Sequence, residues 1–253
     1  MQTQKDIRIA VLIDADNVPY SNVKGMMEEI AKYGTPTFRR IYGDWTKPTV
    51  SGWKNVLLEN AITPIQQYSY TSGKNSSDSA LIIDAMDILY SGAVEGFCIV
   101  SSDSDFTRLA TRLREAGMKV FGIGQRKTPN PFIVACDKFI YMEIIPVPEM
   151  AETENEVKNK RVKKQDTKPQ VDKINKETLK LIAATINDLA DENGWAFLGD
   201  VGNLLLKKQP DFDPRNYGFS KLTPLIRSLP QFEINRVETD KDGIKLVYIR
   251  NRN

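Results

Sequence analysis

Two Asp-x-Asp motifs carry the strongest chemical signal in this chain, Asp14-Ala15-Asp16-Asn17 and Asp103-Ser104-Asp105-Phe106. Each follows an apolar run, residues 9–13 and 97–100, of the length and composition of a buried strand. A further acid, Asp78 in Ser76-Ser77-Asp78-Ser79, opens a helical pattern. Ionised carboxylates gathered at one place repel one another and hold their protons above the ordinary pKa. A divalent cation removes that penalty, so acids collected at strand ends point to a metal site. A lone Asp after a strand is more often a helix cap, and Asp78 or Ser104 alone would read that way. Two strands that deliver Asp-x-Asp to one sheet edge weaken the cap reading.

The remaining composition narrows the chemistry. The 253 residues include no histidine and two cysteines, Cys98 and Cys136. No Ser-His-Asp or Cys-His nucleophile is available, and no zinc site of the Cys/His kind. Hard oxygen donors favour Mg²⁺ or Mn²⁺. Such ions keep several waters and bind phosphate oxygens, and they can align water against a phosphodiester without any imidazole. Two distant cysteines and a polar N-terminus predict a cytoplasmic protein. No apolar run is long enough for a bilayer, so no membrane partner is expected.

The elements that must position these acids alternate. Strand patterns at 7–13, 37–42, 65–68, 97–100, 118–123 and 139–142 are separated by helical patterns at 23–33, 50–60, 78–90, 106–116 and from 131. This predicts an α/β fold, a parallel sheet flanked by helices on both faces. Its ligand site should lie beyond the carboxyl ends of the strands. Residues 158–176 hold eight Lys or Arg against two Asp, a net +6, with no aromatic residue. That composition predicts a flexible charged linker over 149–174. Up to residue 147, the basic and acidic side chains balance at 16 each. Beyond the linker, helical patterns at 176–193, 198–207 and 220–228 precede two strands, 232–236 and 245–250. Three helices and a β-hairpin outline a winged helix-turn-helix.

Taken in order, Ile9-Ala10-Val11-Leu12-Ile13-Asp14-Ala15-Asp16-Asn17, Lys74, Asp78 on a helix that contains Asp84, and Ser102-Asp103-Ser104-Asp105-Phe106 resemble the NYN domain. That family is a branch of the PIN-like nuclease superfamily, and the chain looks like its LabA-like group. The resemblance covers about 7–145. It implies a Rossmannoid PIN-like fold and a metal-dependent ribonuclease, an endoribonuclease, with Asp14, Asp78, Asp103 and Asp105 as catalytic metal ligands for Mg²⁺ or Mn²⁺. Asn17 and Asp16 would support them, Asn17 by orienting water or phosphate. Asp84 lies six residues after Asp78, roughly 240° around the helix, and is expected outside the ligand set.

Asn193-Gly194-Trp195-Ala196, Leu198-Gly199-Asp200-Val201-Gly202, Pro210-Asp211-Phe212-Asp213 and Tyr217-Gly218-Phe219-Ser220-Lys221-Leu222 resemble an OST-HTH, or LOTUS, domain. The expected division is therefore a nuclease domain at 1–148, a linker at 149–174 and a LOTUS domain at 175–253. The second resemblance implies RNA as partner, allows a protein partner through the LOTUS domain, and leaves a homodimer open.

Cations and aromatics on the active edge would hold single-stranded RNA by charge and stacking. Arg39, Arg40 and Trp45 near the second strand's end, Lys74, and Arg126 with Lys127 after the fifth strand are the choices in the first domain. Lys207, Lys208, Arg215 and Lys221 are those in the second. The Ser72-Gly73-Lys74 segment lacks the earlier glycine of a phosphate-binding P-loop, since Tyr68 stands there. Two other readings stand beside the nuclease. One is an RNA-binding regulator without turnover. The other is a haloacid-dehalogenase-type phosphatase, with Asp14 as nucleophile and Asp16 as acid/base.

Overall fold

The computed structural model describes residues 6–46, 50, 52–68, 76–146, 171–238 and 245–252. The chain divides into two compact units, residues 1–169 and 170–253. Lys74 and the charged segment up to residue 170 lie outside the described residues.

The first unit runs β1 (Arg8–Asp14), α1 (Val23–Ile30), β2 (Thr35–Gly43), α2 (Trp53–Glu59), β3 (Thr63–Gln66), α3 (Ser76–Ser91), β4 (Gly96–Val100), α4 (Thr107–Glu115), β5 (Lys119–Gly124), α5 (Asn130–Ala135) and β6 (Lys138–Tyr141). Single 3-10 turns occupy Tyr20–Asn22, Ser104–Phe106 and Met142–Ile144. The six strands form one sheet in the order β3-β2-β1-β4-β5-β6, and every pair is parallel. This is the parallel sheet flanked by helices that the strand–helix alternation predicts.

Alternation along β1 sends side chains to two separate cores. Ala10 and Leu12 pack with Leu81, Ala85 and Ile88 of α3 and Leu109 and Leu113 of α4. Ile9, Val11 and Ile13 pack on the other face with Val23, Met26 and Ile30 of α1 and Trp53 of α2. Residues 9–13 have no exposed surface at all. A strand covered on both faces reads as a continuous apolar run, which is why β1 is easily found in the sequence. Each fully buried Val, Leu or Ile contributes roughly 1.5–3 kcal/mol.

The order places the site. From β1 the chain moves outward through β2 and β3, and then α3 carries it back across to β4, on the other side of β1. The order reverses between β1 and β4, which opens a crevice at their carboxyl ends. Asp14 closes β1 at that edge, opposite Tyr42 of β2. Residues 101–105 leave β4 there, and α3 begins there because it follows a parallel strand. One topological crossing thus brings Asp14, Asp78 and the Asp103 motif to the same crevice.

The third strand lies two residues earlier than the sequence pattern suggests, at Thr63–Gln66. Pairing of Arg40 with Thr63 through Gly43 with Gln66 sets its register. Pro64 argues against a strand, but β3 is an edge strand, where a missing N–H can face away from the ladder.

The second unit holds α6 (Lys176–Leu189), β7 (Ala196–Phe197), α7 (Leu198–Lys208), a 3-10 turn (Pro214–Tyr217), α8 (Leu222–Arg227), β8 (Phe232–Glu238) and β9 (Lys245–Asn251). Ile182, Ile186, Val201, Leu205, Leu225, Ile226 and Ile249 form its core. The Asn175 side chain caps α6 by accepting from the Thr178 amide at 2.8 Å. Residues 171–174, assigned to the linker by composition, fall within this unit, and the Asp172 amide donates to the Asn216 carbonyl at 2.8 Å.

The helix α6 ends four residues before the expected 193. The Asp191 carboxylate accepts from the amides of Asn193 and Trp195 at 2.9 Å each, a local turn that competes with the helix. Gly194 supplies the positive φ, +79°, that this turn requires. The strand pattern overlooks β7, which has two residues and pairs with Tyr248 and Ile249 in the sheet β7-β9-β8.

Candidate metal centre

Asp14 forms the floor of the crevice. It is 1 % exposed. Its Oδ2 accepts from Asn17 Nδ2 at 2.6 Å and from the Ser101 hydroxyl at 2.8 Å. Its Oδ1 accepts from the Asp16 amide at 3.1 Å. Burial pushes the Asp14 carboxyl above its ordinary pKa. The hydrogen bonds from Asn17, Ser101 and the Asp16 amide oppose that rise, and the Asp16 charge adds to it.

Ser101 links the two motifs. Its hydroxyl donates to Asp14 and accepts from the Asp103 amide at 3.0 Å. Asp103 in turn caps the 3-10 turn, its Oδ1 accepting from the Asp105 amide at 2.9 Å. The capping alternative is therefore real for Asp103, but it does not disperse the acids. One carboxylate oxygen each from Asp78, Asp103 and Asp105 lie within 4.8 Å of one another.

Asp78 is 8 % exposed, in the first turn of α3. Its pKa is pushed up to about 6, by burial first and then by the charges of Asp14, Asp103, Asp105 and Asp16. Repulsion of this kind, in a set of carboxylate oxygens with no nitrogen or sulfur donor, suits a small hard divalent cation. Asp14 bears on Asp78 electrostatically, but among the described residues the metal-sized group is Asp78, Asp103 and Asp105. Both Asp14 oxygens already accept hydrogen bonds.

The cations chosen for RNA contact fare differently. Arg39 and Arg40 lie four and three residues before the end of β2, not at the edge. Arg39 Nη1 donates to the Asn60 carbonyl at 3.1 Å. Arg40 pairs with Asp84, which also accepts from the Tyr42 hydroxyl. Asp84 is thereby held by two side chains of β2, away from the three clustered acids. Trp45 packs against the second core and its indole N–H donates to the Ile65 carbonyl at 3.0 Å, so its place is structural. Arg126 stands over the Tyr141 ring, 5.3 Å from its centroid, and Lys127 is exposed after β5.

In the second unit Lys207 and Lys221 are exposed. Lys208 pairs with Asp188, and Arg215 donates to the Asp213 carboxylate from its guanidinium at 3.0 and 2.7 Å and from its backbone amide at 2.9 Å. Tyr217 and Phe219 pack against the core, and Arg250 stacks 4.6 Å over Trp195.

Arg40, Asp84 and Tyr42 form a partly buried network whose loss is measurable. Arg40→Met is expected to destabilise the first unit by about 2 kcal/mol, since it leaves Asp84 without its cation. Urea denaturation checks this, and an unchanged midpoint would show the pair to be surface-like.

Sequence reading missed three polar residues at the carboxyl edge of the sheet. Ser101 is visible only as the first residue of a serine pair, and its role depends on Asp14 87 positions earlier. Ser77 donates to Asp16 Oδ2 at 3.4 Å. Asp44, buried at the end of β2, accepts from the Thr46 hydroxyl at 2.6 Å and from Gln66 Nε2 at 3.1 Å. An acid just past a strand end was the available signal for Asp44, and its partners make it a turn-former.

The NYN domain family matches residues 8–143, and the OST-HTH/LOTUS domain family matches residues 170–244. Among solved structures, a protein of unknown function from Vibrio parahaemolyticus is 21% identical, with a TM-score of 0.48, over 56% of this chain and 96% of that one. An uncharacterized protein from Nitrosomonas europaea is 30% identical, with a TM-score of 0.30, over 38% of this chain and 90% of that one. No curated protein matches the chain.

Proposed function

We propose that this chain, which belongs to the NYN domain family and carries an OST-HTH/LOTUS domain after it, is a divalent-metal-dependent endoribonuclease. The observation that carries the reading is the convergence of Asp78, Asp103 and Asp105 at the crevice between β1 and β4. These three would hold Mg²⁺ or Mn²⁺. When bound, the cation supplies positive charge for the scissile phosphate and lowers the pKa of the attacking water.

The chain's own residues prepare that chemistry. Ser101 fixes Asp14 against the Asp103 backbone, so the two motifs keep a constant spacing. Asn17 is held by Asp14 at the rim, where its amide can orient water or a phosphate oxygen. Asp78 is mostly ionised at pH 7.5 because its pKa stays near 6, which leaves it able to bind a cation. Lys127, and on the sequence motif Lys74, are proposed to touch RNA phosphates. Lys207 and Lys221 of the LOTUS domain are proposed to hold RNA elsewhere along its length, by charge rather than base reading. Among the described residues no helix is long and apolar enough to cross a membrane.

The test is cleavage of end-labelled single-stranded and hairpin RNA by the full chain, in Mn²⁺ or Mg²⁺ and in chelator. Internal cleavage is expected with metal and none in chelator, and Asp103→Asn should lose it. Full metal-dependent activity in Asp103→Asn would overturn the site. RNA binding in chelator with no cleavage in metal would leave a binding protein only.

A further inference from the structure

The carboxyl edge carries a second concavity beside the acids. It has a volume of about 180 Å³, with apolar walls that include Val18, Pro19, Met26 and Met142, and with Asn22, Gln125 and Glu143 as polar members. Val18 and Pro19 follow β1, Gln125 follows β5, and Met142 and Glu143 follow β6, so the pocket lies at the same edge as the acids. Two of its walls are tied to residues next to Asp14 and Asp103. Val18 follows Asn17, whose amide donates to Asp14. The Gln125 backbone amide donates to the Ser102 hydroxyl at 2.8 Å, one residue from Asp103. From Asp14 to Val18 the chain spans at most roughly 14 Å even if fully extended. A strand with its phosphate at the acids would therefore have a neighbouring base within reach of the pocket.

The volume is small beside the roughly 300–1,000 Å³ of pockets that enclose drug-sized ligands. It suits one planar ring system. Two methionines give soft, polarisable walls that adapt to a ring. The Glu143 carboxylate is acceptor-only, and its Oε1 takes the Arg126 amide at 3.0 Å, which fixes its position. A carboxylate acceptor rewards a base that presents N–H groups and disfavours one that presents a carbonyl at the same place. Cytosine carries an amino group where uracil carries a carbonyl oxygen, and adenine also presents an amino group.

We propose that this pocket binds a nucleobase with an exocyclic amino group and discriminates against uracil, with Glu143 as the specificity-determining residue. The role of that base, next to the scissile phosphate, rests on the ribonuclease reading above. The pocket does not.

The experiment titrates the full chain, in chelator, with AMP, CMP, GMP and UMP, and follows methyl NMR signals of Met26, Met142 and Val18. The methyl signals should move with the amino-bearing nucleotides, and UMP should bind at least about tenfold more weakly. Glu143→Gln, whose amide donates as well as accepts, should bring UMP to within about threefold of CMP. Met142→Trp should fill the pocket and abolish the shifts. Equal affinity for all four nucleotides, or a Glu143→Gln protein that keeps the discrimination, overturns the proposal even if Met142→Trp does not fold. If RNA is cleaved with no preference for the bases flanking the cut and no nucleotide discrimination, the pocket fails and the nuclease stands. If no RNA is cleaved but the nucleotide pattern holds, the nuclease fails and the pocket stands.

Discussion

Asp78→Asn is expected to make the metal-free protein more stable while it lowers metal-dependent RNA cleavage by about 10²–10³-fold, the scale of removing one preorganised electrostatic group. The two effects have one cause. Burial and four neighbouring acids raise the Asp78 pKa from 3.8 to about 6. A carboxyl group whose pKa is higher in the folded chain than in the unfolded chain favours folding only while it is protonated. That contribution is complete below the unfolded value near 4 and is gone above the folded value near 6. At pH 7.5 the ionised Asp78 no longer helps and bears the repulsion. Asparagine keeps the shape without the charge. Two pKa units correspond to about 3 kcal/mol, and water at the open side of the crevice lowers the expected gain to about 1–2 kcal/mol. Denaturation in chelator at pH 7.5 and single-turnover cleavage in Mn²⁺ read the two effects separately. An asparagine protein that is less stable and equally inactive would mean that Asp78 is structural. One that is more stable and fully active would mean that the cation is held elsewhere.

The same opposition explains which parts of the molecule were legible in the sequence. The parallel sheet was legible because β1 and β4 are covered on both faces, and their apolar runs end in acids. Short β7 and edge strand β3 were not, because pairing with a distant strand defines them more than their own residues do. The end of α6 was set by one side chain, Asp191, whose bonds to the Asn193 and Trp195 amides outweigh the helical pattern around it. In the site, Asp78, Asp103 and Asp105 could be chosen from type and spacing. Asp14 could be chosen too, but only the fold shows that its oxygens are engaged by Asn17, Ser101 and the Asp16 amide.

The arginines were the least legible. Arg40 and Asp84 are 44 positions apart, and a helical angle alone gave Asp84 no partner. Exposed lysines and arginines look alike in a sequence, and ion pairing is what separates them in the fold. Arg40, Lys208 and Arg215 each meet an aspartate, whereas Lys127, Lys207 and Lys221 lie on the surface. A cation already paired gains less from a phosphate, because binding must first break the existing bond. The second group is therefore the better choice for RNA contact.

The proton and the metal should compete for the same three acids, and that competition sets the largest pH effect expected in the wild-type chain. In chelator, the stability difference between wild type and Asp78→Asn should favour wild type most below about pH 4. It should shrink as pH rises through about 6, the window in which Asp78 loses its proton. Taking the difference between the two proteins cancels the other titrating groups. In Mn²⁺ the trend should invert. Cation binding requires ionised carboxylates and releases protons, so added metal should stabilise the wild type strongly at pH 8 and scarcely at pH 5. At a metal concentration one hundred times the dissociation constant, the gain at pH 8 is about 2.7 kcal/mol. Asp78→Asn should show little of it at either pH. Thermal melts of the full chain at pH 5, 6.5 and 8, with Mn²⁺ and with chelator, measure all of this in one series. The competition is falsified if Mn²⁺ raises the melting temperature equally at pH 5 and pH 8, because ions bound there would not be displaced by the Asp78 proton. Proton release on Mn²⁺ addition, read by a pH indicator in weak buffer at pH 6, gives an independent measure of the same exchange. It should fall markedly in Asp78→Asn, since a carboxyl group with a pKa of about 6 is about half protonated at pH 6.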